Sequence, residues 1–459
     1  MIGRMNPSIF KAYDIRGLSP GELGAAEAGR IGASLAQLHR PKNVVVGRDM
    51  RVTSIELEES LIDGLNSQGV NVVRVGLCTT PMFNFAVAES NGAFDMGIMV
   101  TASHNPAKYN GLKIAKSDNT SIGQGSGMEE LRDLACSDEP LPQSNDRGTV
   151  SDDNGLLERY VDAIWSKSKL DGGLEEWHIA IDAGNGMEGL VLPKLQKKLD
   201  AHMHDLYWKL DGNFPNHEAN PVKVETLEDL KEEVLSKGCA FGAAFDGDGD
   251  RVGFVDEKGE AIPGDILTAL FAKAILAEKK GAKVLYDLRS SKSVKEVIEE
   301  AGGSAEMCKV GHAGIKRQMR ETGAVFAGEL SMHFYFSEFA NCEASDYAML
   351  LLIRLMLAEG KPLSAIWKPL VRYSHSGEIN FEVNDTKKAL SLVEEQFSAG
   401  AIDVSHLDGV RIDLGDWWFS LRASNTEPLI RLNLEANDEA TMKAKVEEVR
   451  TCLASLIRA

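Results

Sequence analysis

Three aspartates alternate with glycines in Asp246-Gly247-Asp248-Gly249-Asp250-Arg251, between the apolar runs Ala240–Phe245 and Val252–Val255. Alternate residues of an extended chain point the same way, so the three carboxylates converge while the glycines let the backbone curl. Like charges a few ångströms apart repel strongly, and a cation relieves that repulsion. An all-oxygen donor set selects a hard ion, magnesium before zinc. A solvated acidic turn and a calcium loop are the competing readings, the latter because Glu257 falls twelfth from Asp246. A calcium loop requires glycine sixth and a helix on each side, whereas Arg251 stands sixth here and strands flank the segment.

The second reactive segment is Thr101-Ala102-Ser103-His104-Asn105-Pro106, after a strand containing Met96, Ile98 and Val100. Asn110-Gly111 reads as a turn that brings Leu112-Lys113-Ile114 back beside it. Hydroxyls at a strand end, with a lysine returning next to them, stand where α/β domains place reactive groups. Ser103 and His104 do not read as a hydrolase pair, because adjacent extended side chains diverge and no Gly-x-Ser-x-Gly elbow surrounds them. Taken alone, Ser-His-Asn-Pro is equally a plain turn. Opposite a cation held by three carboxylates, a phosphoserine at Ser103 supplies the matching anion. Arg16, Arg251 and Lys113 are then the groups that neutralise a transferred phosphoryl.

These segments need rigid elements to hold them. Val44–Asp49, Ile179–Gly184 and Val284–Arg289 each read as a short buried strand entering a polar loop and then an amphipathic helix. Ile55, Leu57, Leu61, Ile62 and Leu65 mark one face of such a helix over Ser54–Gln68. The last hundred residues differ: strands over Glu378–Val383, Val410–Leu414, Trp417–Leu421 and Leu429–Leu434 precede a helix capped by Asn437 or Asp438. The fold class is therefore α/β, with three similar mixed α/β domains in series and a smaller C-terminal α+β domain. Expected boundaries are 1–150, 151–254, 255–365 and 366–459.

The 459 residues are 43% hydrophobic and 26% charged, ordinary globular values that exclude wholesale disorder. A net charge of −19 argues against nucleic acid as the main partner. The N-terminal residues, with Arg4, Lys11, Asp14 and Arg16, lack the apolar core of a secretory signal. Ala348–Ala358, broken by Arg354, is too short to span a bilayer, so no membrane partner is expected. The six cysteines are too dispersed for a disulfide scaffold or zinc site, and a cytoplasmic location is expected.

Over essentially its whole length the chain resembles the α-D-phosphohexomutases, in the phosphomannomutase/phosphoglucomutase branch. The resemblance rests on Phe10–Gly17, Thr101–Pro106, Asp246–Arg251, Gly328-Glu329-Leu330-Ser331-Met332-His333 and Arg422–Pro428, in that order, with Asp211–His217 also similar. It implies four domains around a central active-site cleft and an interconversion of hexose 1-phosphate and hexose 6-phosphate, of mannose, glucose or both. Phosphoglucosamine is the alternative substrate within the family. Ser103 would carry the phosphoryl group and exchange it with the sugar through a hexose 1,6-bisphosphate, which also serves as activator. Asp246, Asp248 and Asp250, with an oxygen on Ser103, would hold Mg2+. Lys113, aided by His104, would move the proton, its pKa lowered among cations. Arg16 and Arg251 would flank the phosphoserine, with Tyr13 on that side. Glu329, Ser331 and His333 would bind the sugar, Arg289 and His312 the sugar or phosphate, and Arg422, Ser424, Asn425 and Thr426 the non-transferring phosphate.

Two positions depart from the family pattern. Met332 stands where glycine is usual, and Arg289 where lysine is frequent, which keeps the charge and changes its geometry. Small-molecule sugar phosphates are the implied partners, and the chain is expected as a monomer or weak homodimer. Two rivals remain. Gly184-Asn185-Gly186-Met187-Glu188-Gly189 follows a strand as a dinucleotide fingerprint does, with Asp205 downstream, which suits an oxidoreductase. A non-catalytic sugar-phosphate binder would have lost the serine or the aspartates, all of which are present.

Overall fold

The computed structural model describes residues 5–423 and 429–457. The chain divides into two compact units, Met1–Ile262 with Ser331–Ser364, and Pro263–Leu330 with Ala365–Ala459.

The first unit is built on two sheets. In the six-stranded one, Asn43–Arg48 lies in parallel between Met96–Val100 and Asn71–Leu77, and Val44, Val45 and Val46 are wholly buried. This is what a continuous β-branched run requires of a strand covered on both faces. Ala25–His39 and Ser54–Asn66 supply cover, with Ile31, Leu35, Leu57 and Leu61 in the core. Tyr109–Lys116 pairs antiparallel with Met96–Val100, and Ile15–Leu18 pairs with it in turn, so Arg16 and Lys113 enter from the antiparallel edge.

Asn110-Gly111 is not a turn but lies inside Tyr109–Lys116. Asn110 is buried, its amide donating to Thr53 Oγ1 and Ser54 Oγ at 3.0 Å each. At Gly111 a Cβ would come within 2.3 Å of the Ile15 carbonyl oxygen, so glycine serves a close strand approach and not a reversal.

The second sheet runs Val252–Asp256, Phe241–Phe245, His178–Asp182, His202–Leu206. Phe241–Phe245 and Val252–Asp256 form an antiparallel hairpin with Phe245 opposite Val252, so the acidic segment is the hairpin loop. The glycine fingerprint behind it is used up by packing. A Cβ at Gly186 would meet the carbonyls of Gly247 and Asp246, and one at Gly189 would lie 1.9 Å from that of Trp208. Those backbone approaches leave the glycines nothing to offer a pyrophosphate, which removes the basis for the dinucleotide reading.

In the second unit, Ser304–Cys308, Lys283–Asp287 and Phe326–Gly328 are parallel neighbours. A five-stranded antiparallel sheet follows, ordered Ser374–Glu382, Leu429–Ala436, Trp417–Ala423, Val410–Asp413, Asp403–Ser405. The helix Glu439–Leu453 buries Val446, Val449 and Leu453 against its core, and the Asp438 carboxylate caps it by accepting from Thr441 N at 2.9 Å. Among the described residues no helix is long and apolar enough to cross a membrane.

Candidate active site

Ser103 follows a fully buried strand and sits at φ +52°, in the left-handed region that L-residues occupy at a cost. One side chain braces its loop. Arg51 donates to the carbonyls of Ser103 (2.7 Å), Asn105 (2.5 Å), Pro106 and Tyr109 (3.0 Å each). Its Nε lies 3.2 Å from Asp49 Oδ2, and its guanidinium stacks on Phe214 at 5.0 Å. Asp49 is itself fixed by Arg51 N and Ser54 Oγ.

The left-handed backbone changes the relation of Ser103 to its neighbour. Ser103 Oγ and His104 Nδ1 are 3.1 Å apart, so the side chains converge where an extended chain would splay them. Burial, then the charges of Arg251 and Arg16, hold the His104 imidazole well below its ordinary pKa and therefore neutral.

Ser103 Oγ also donates to Asp246 Oδ2 at 2.8 Å. Asp246, Asp248 and Asp250 are all buried, and one oxygen from each lies within 4.8 Å of the others. At Gly249, φ +75° lets the hairpin fold back on itself, and Asp246 Oδ1 accepts from Asp250 N and Arg251 N. Thr80 Oγ1 donates to Asp248 Oδ2 at 2.6 Å. Asp248 Oδ1 is buried without a hydrogen-bond donor, and Asp250 Oδ1 has His333 Nε2 beside it at 3.4 Å. Burial and its two acidic neighbours push the Asp246 carboxyl well above its ordinary range. Converging oxygens, orphaned lone pairs and mutual repulsion fit a hard divalent cation.

Lys113 Nζ lies 2.7 Å from Asp248 Oδ2 and 2.5 Å from Asp250 Oδ2. Burial lowers its pKa, but the charges of Asp248 and Asp250 outweigh burial and hold the ammonium above its usual range. The expected lowering is thus reversed in this arrangement. Arg16 pairs with Asp14 and donates to Asn105 Oδ1 at 2.7 Å, on the serine loop. Arg251 Nε donates to His333 Nε2 at 3.1 Å, while His333 Nδ1 lies 3.0 Å from Ser331 Oγ. Tyr13 is partly exposed. Met332 adopts φ +67° and is buried, with its sulfur towards Gly253. A left-handed backbone explains why glycine suits that position.

In the second unit Arg289 forms a double contact with Asp287, Nη2 to Oδ2 at 2.6 Å and Nε to Oδ1 at 3.2 Å. Glu329 Oε1 accepts from Gly311 N at 2.8 Å, immediately before His312 opens a helix. Arg289, Glu329 and His312 therefore gather beyond the C-terminal ends of three parallel strands, where open α/β sheets bind ligands. Arg422 Nη1 donates to Asp408 at 2.9 Å. Ser424, Asn425 and Thr426 lie outside the described residues.

Sequence reasoning missed Arg51, Asp49 and Thr80. A signal was present in Asp49-Met50-Arg51, two charges directly beyond a strand too apolar to need them.

Residues 7–135, 158–259 and 263–373 match the phosphoglucomutase/phosphomannomutase alpha/beta/alpha domains I, II and III, and 378–451 the C-terminal domain. A phosphomannomutase of Methanocaldococcus jannaschii is 39% identical over 452 residues, 98% of each chain. One from Escherichia coli is 36% identical, covering 97% of this chain and 98% of its own. The crystal structure of a phosphoglucomutase/phosphomannomutase family protein from Burkholderia thailandensis superposes with TM-score 0.89 at 32% identity, covering 98% of both chains. With all four domains in order on this scaffold, the chain belongs to the phosphoglucomutase/phosphomannomutase family and is an intramolecular phosphotransferase of the mutase class.

Proposed function

We propose that the enzyme interconverts hexose 1-phosphate and hexose 6-phosphate, of mannose, glucose or both, through a phosphoserine at Ser103 and a hexose 1,6-bisphosphate. The observation that carries this reading is the 2.8 Å approach of Ser103 Oγ to Asp246 within a buried aspartate trio. A lone turn serine has no reason to sit there.

Asp246, Asp248 and Asp250, with an oxygen on Ser103, hold a magnesium ion whose charge offsets that of the phosphoryl group. Arg51 keeps the serine oxygen in place. Arg16 and Arg251 neutralise the transferring phosphoryl. In the forward half-reaction the phosphorus–Oγ bond of Ser103 breaks as a sugar hydroxyl attacks; the neutral His104 imidazole is the acceptor for the proton that hydroxyl loses, and Lys113, held as an ammonium by Asp248 and Asp250, is its acid partner. The bisphosphate then turns, and its other phosphoryl returns to Ser103. Glu329, Ser331 and His333 bind the sugar hydroxyls, with Tyr13, Arg289 and His312 around it. Arg422, with Ser424, Asn425 and Thr426, cradles the resting phosphate, an arginine fork among small donors. Residues 1–150 thus supply the nucleophile, 151–254 the metal ligands, 255–365 sugar recognition and 366–459 the phosphate cradle.

The test is to compare kcat/KM for mannose 1-phosphate, glucose 1-phosphate and glucosamine 1-phosphate, with magnesium and a trace of glucose 1,6-bisphosphate. Turnover of mannose or glucose phosphate above that of glucosamine phosphate is expected. An enzyme that turns over glucosamine phosphate alone contradicts the substrate assignment, and activity independent of added or enzyme-bound phosphate contradicts the mechanism.

A further inference from the structure

The segment Gly184–Gly189 carries one acidic residue, Glu188, which opens the helix Glu188–Leu199. Its side chain is wholly buried, and no N–H or hydroxyl of another residue reaches either carboxyl oxygen. Its hydrogen-bond partner is a second buried carboxyl, that of Asp346 in the helix Ser345–Glu359. Two carboxyls hydrogen-bond only when one of them carries a proton. Asp346 Oδ2 also accepts from the Tyr160 hydroxyl at 2.7 Å. Burial, then the charge of Asp346, hold the Glu188 carboxyl well above its ordinary range, which assigns the proton to Glu188. Phosphoryl transfer itself uses neither acid.

Position gives this pair a task. Three consecutive carbonyls of the aspartate loop are held from outside the hairpin. Gly247 O accepts from Met187 N at 3.0 Å, Asp248 O from Thr80 N at 2.8 Å, and Gly249 O from Ser345 Oγ. Met187 and Ser345 are the chain neighbours of Glu188 and Asp346, so the two acids join two of those three anchors from behind. Glu188 also lies against the point where the loop doubles back. Gly249 has φ +75°, and a Cβ there would stand 2.2 Å from Glu188 Oε1, so the acid occupies the space a side chain would take.

On the reading of Asp246, Asp248 and Asp250 as magnesium ligands, on which this rests, we propose that Glu188 is a positioning residue for their loop. It is a neutral acid whose hydrogen bond to Asp346 locks together two of the segments that hold the loop's carbonyls. Kept neutral, Glu188 adds no fourth charge to the trio while it fills the space behind Gly249. An ionised Glu188 would repel the three carboxylates, and an apolar side chain would leave the Asp346 carboxylate one donor short. Groups outside a ligand set orient the ligands in this way, and their loss weakens metal binding about 10–100-fold.

The full chain and two variants are titrated with Mg2+ by calorimetry, and mutase activity is measured against magnesium concentration. Glu188→Met keeps the length of the side chain without a donor, and its Mg2+ Kd and half-saturating concentration should rise about tenfold. Glu188→Gln keeps shape and donor, an amide N–H replacing the acid proton, and should stay within about twofold of wild type. A Kd unmoved in Glu188→Met, or a Gln variant as weak as the Met variant, overturns the proposal. Should Glu188→Met not fold, Glu188→Gln decides alone. An ionised glutamate attracts the cation and the amide does not, so a Kd raised about tenfold in that variant contradicts the neutral acid. A wild type that binds no Mg2+ refutes the aspartate site itself, a failure distinct from binding that both variants leave unchanged.

Discussion

Ser103 Oγ and Asp246 Oδ2 are 2.8 Å apart although 143 residues separate them in the chain. Two rigid devices create that contact. One is the Phe245–Val252 hairpin, whose loop turns the carboxylates inward, and the other is the Arg51 clamp on the carbonyls around Ser103. A Cβ at Gly247 would lie 2.5 Å from the Ser103 carbonyl oxygen, so the two loops meet backbone to backbone.

The clamp makes Arg51 a positioning residue for the reaction. In Arg51→Lys the charge remains while the planar fork that reaches four carbonyls is lost. We expect kcat to fall about a hundredfold with KM little changed, since a nucleophile displaced by about 1 Å costs that much. Arg51→Ala additionally leaves Asp49 buried and unpaired, for about 3–5 kcal/mol of stability by denaturant unfolding. Unaltered kcat in Arg51→Lys would show that the loop holds itself.

Asp248→Asn removes one charge from the trio and keeps its shape. The half-saturating magnesium concentration should rise at least about tenfold and kcat drop about 10²–10³-fold, as for loss of one transition-state charge partner. Chelator treatment of the wild type should abolish turnover and added magnesium should restore it. An unchanged magnesium dependence in Asp248→Asn would exclude that residue as a ligand.

His217 Nε2 lies 2.9 Å from Asp182 Oδ2. Burial lowers the His217 pKa, but the hydrogen bond and charge of Asp182 outweigh it and raise the value to about 9. A histidine raised above its unfolded value contributes stability that is complete below about pH 6.5 and is lost as pH climbs through about 9. Between about pH 7 and 10 the wild type should therefore lose up to about 2–3 kcal/mol more than His217→Gln. Parallel unfolding curves for the two proteins across that range would refute the coupling.

Much of this was legible in the sequence for a physical reason. Continuous valines at 44–46 announced a strand covered on both faces, a local periodicity; the aspartates do converge, but in a hairpin loop folded back at Gly249 and not along an extended chain. What local pattern cannot carry is closeness between distant segments. Asn110-Gly111 has the composition of a turn, and only the neighbouring strand from Ile15 shows that its glycine answers a steric demand. The convergence of Ser103 and His104 was hidden because nothing local reveals a left-handed serine, whose backbone is held by an arginine fifty-two residues earlier. Lys113 was expected to lose its proton readily among cations, and the carboxylates that reverse this come from a hairpin 135 residues away.

The most direct test of the account is where phosphate resides on the enzyme. Incubation with glucose 1,6-bisphosphate and magnesium, followed by peptide mass spectrometry, should place a single phosphate on Ser103. Ser103→Ala should keep its unfolding profile, carry no phosphate and lose at least about 10³-fold in turnover. Full turnover by that variant, or phosphate found on another residue of a working enzyme, would contradict the covalent mechanism at its centre.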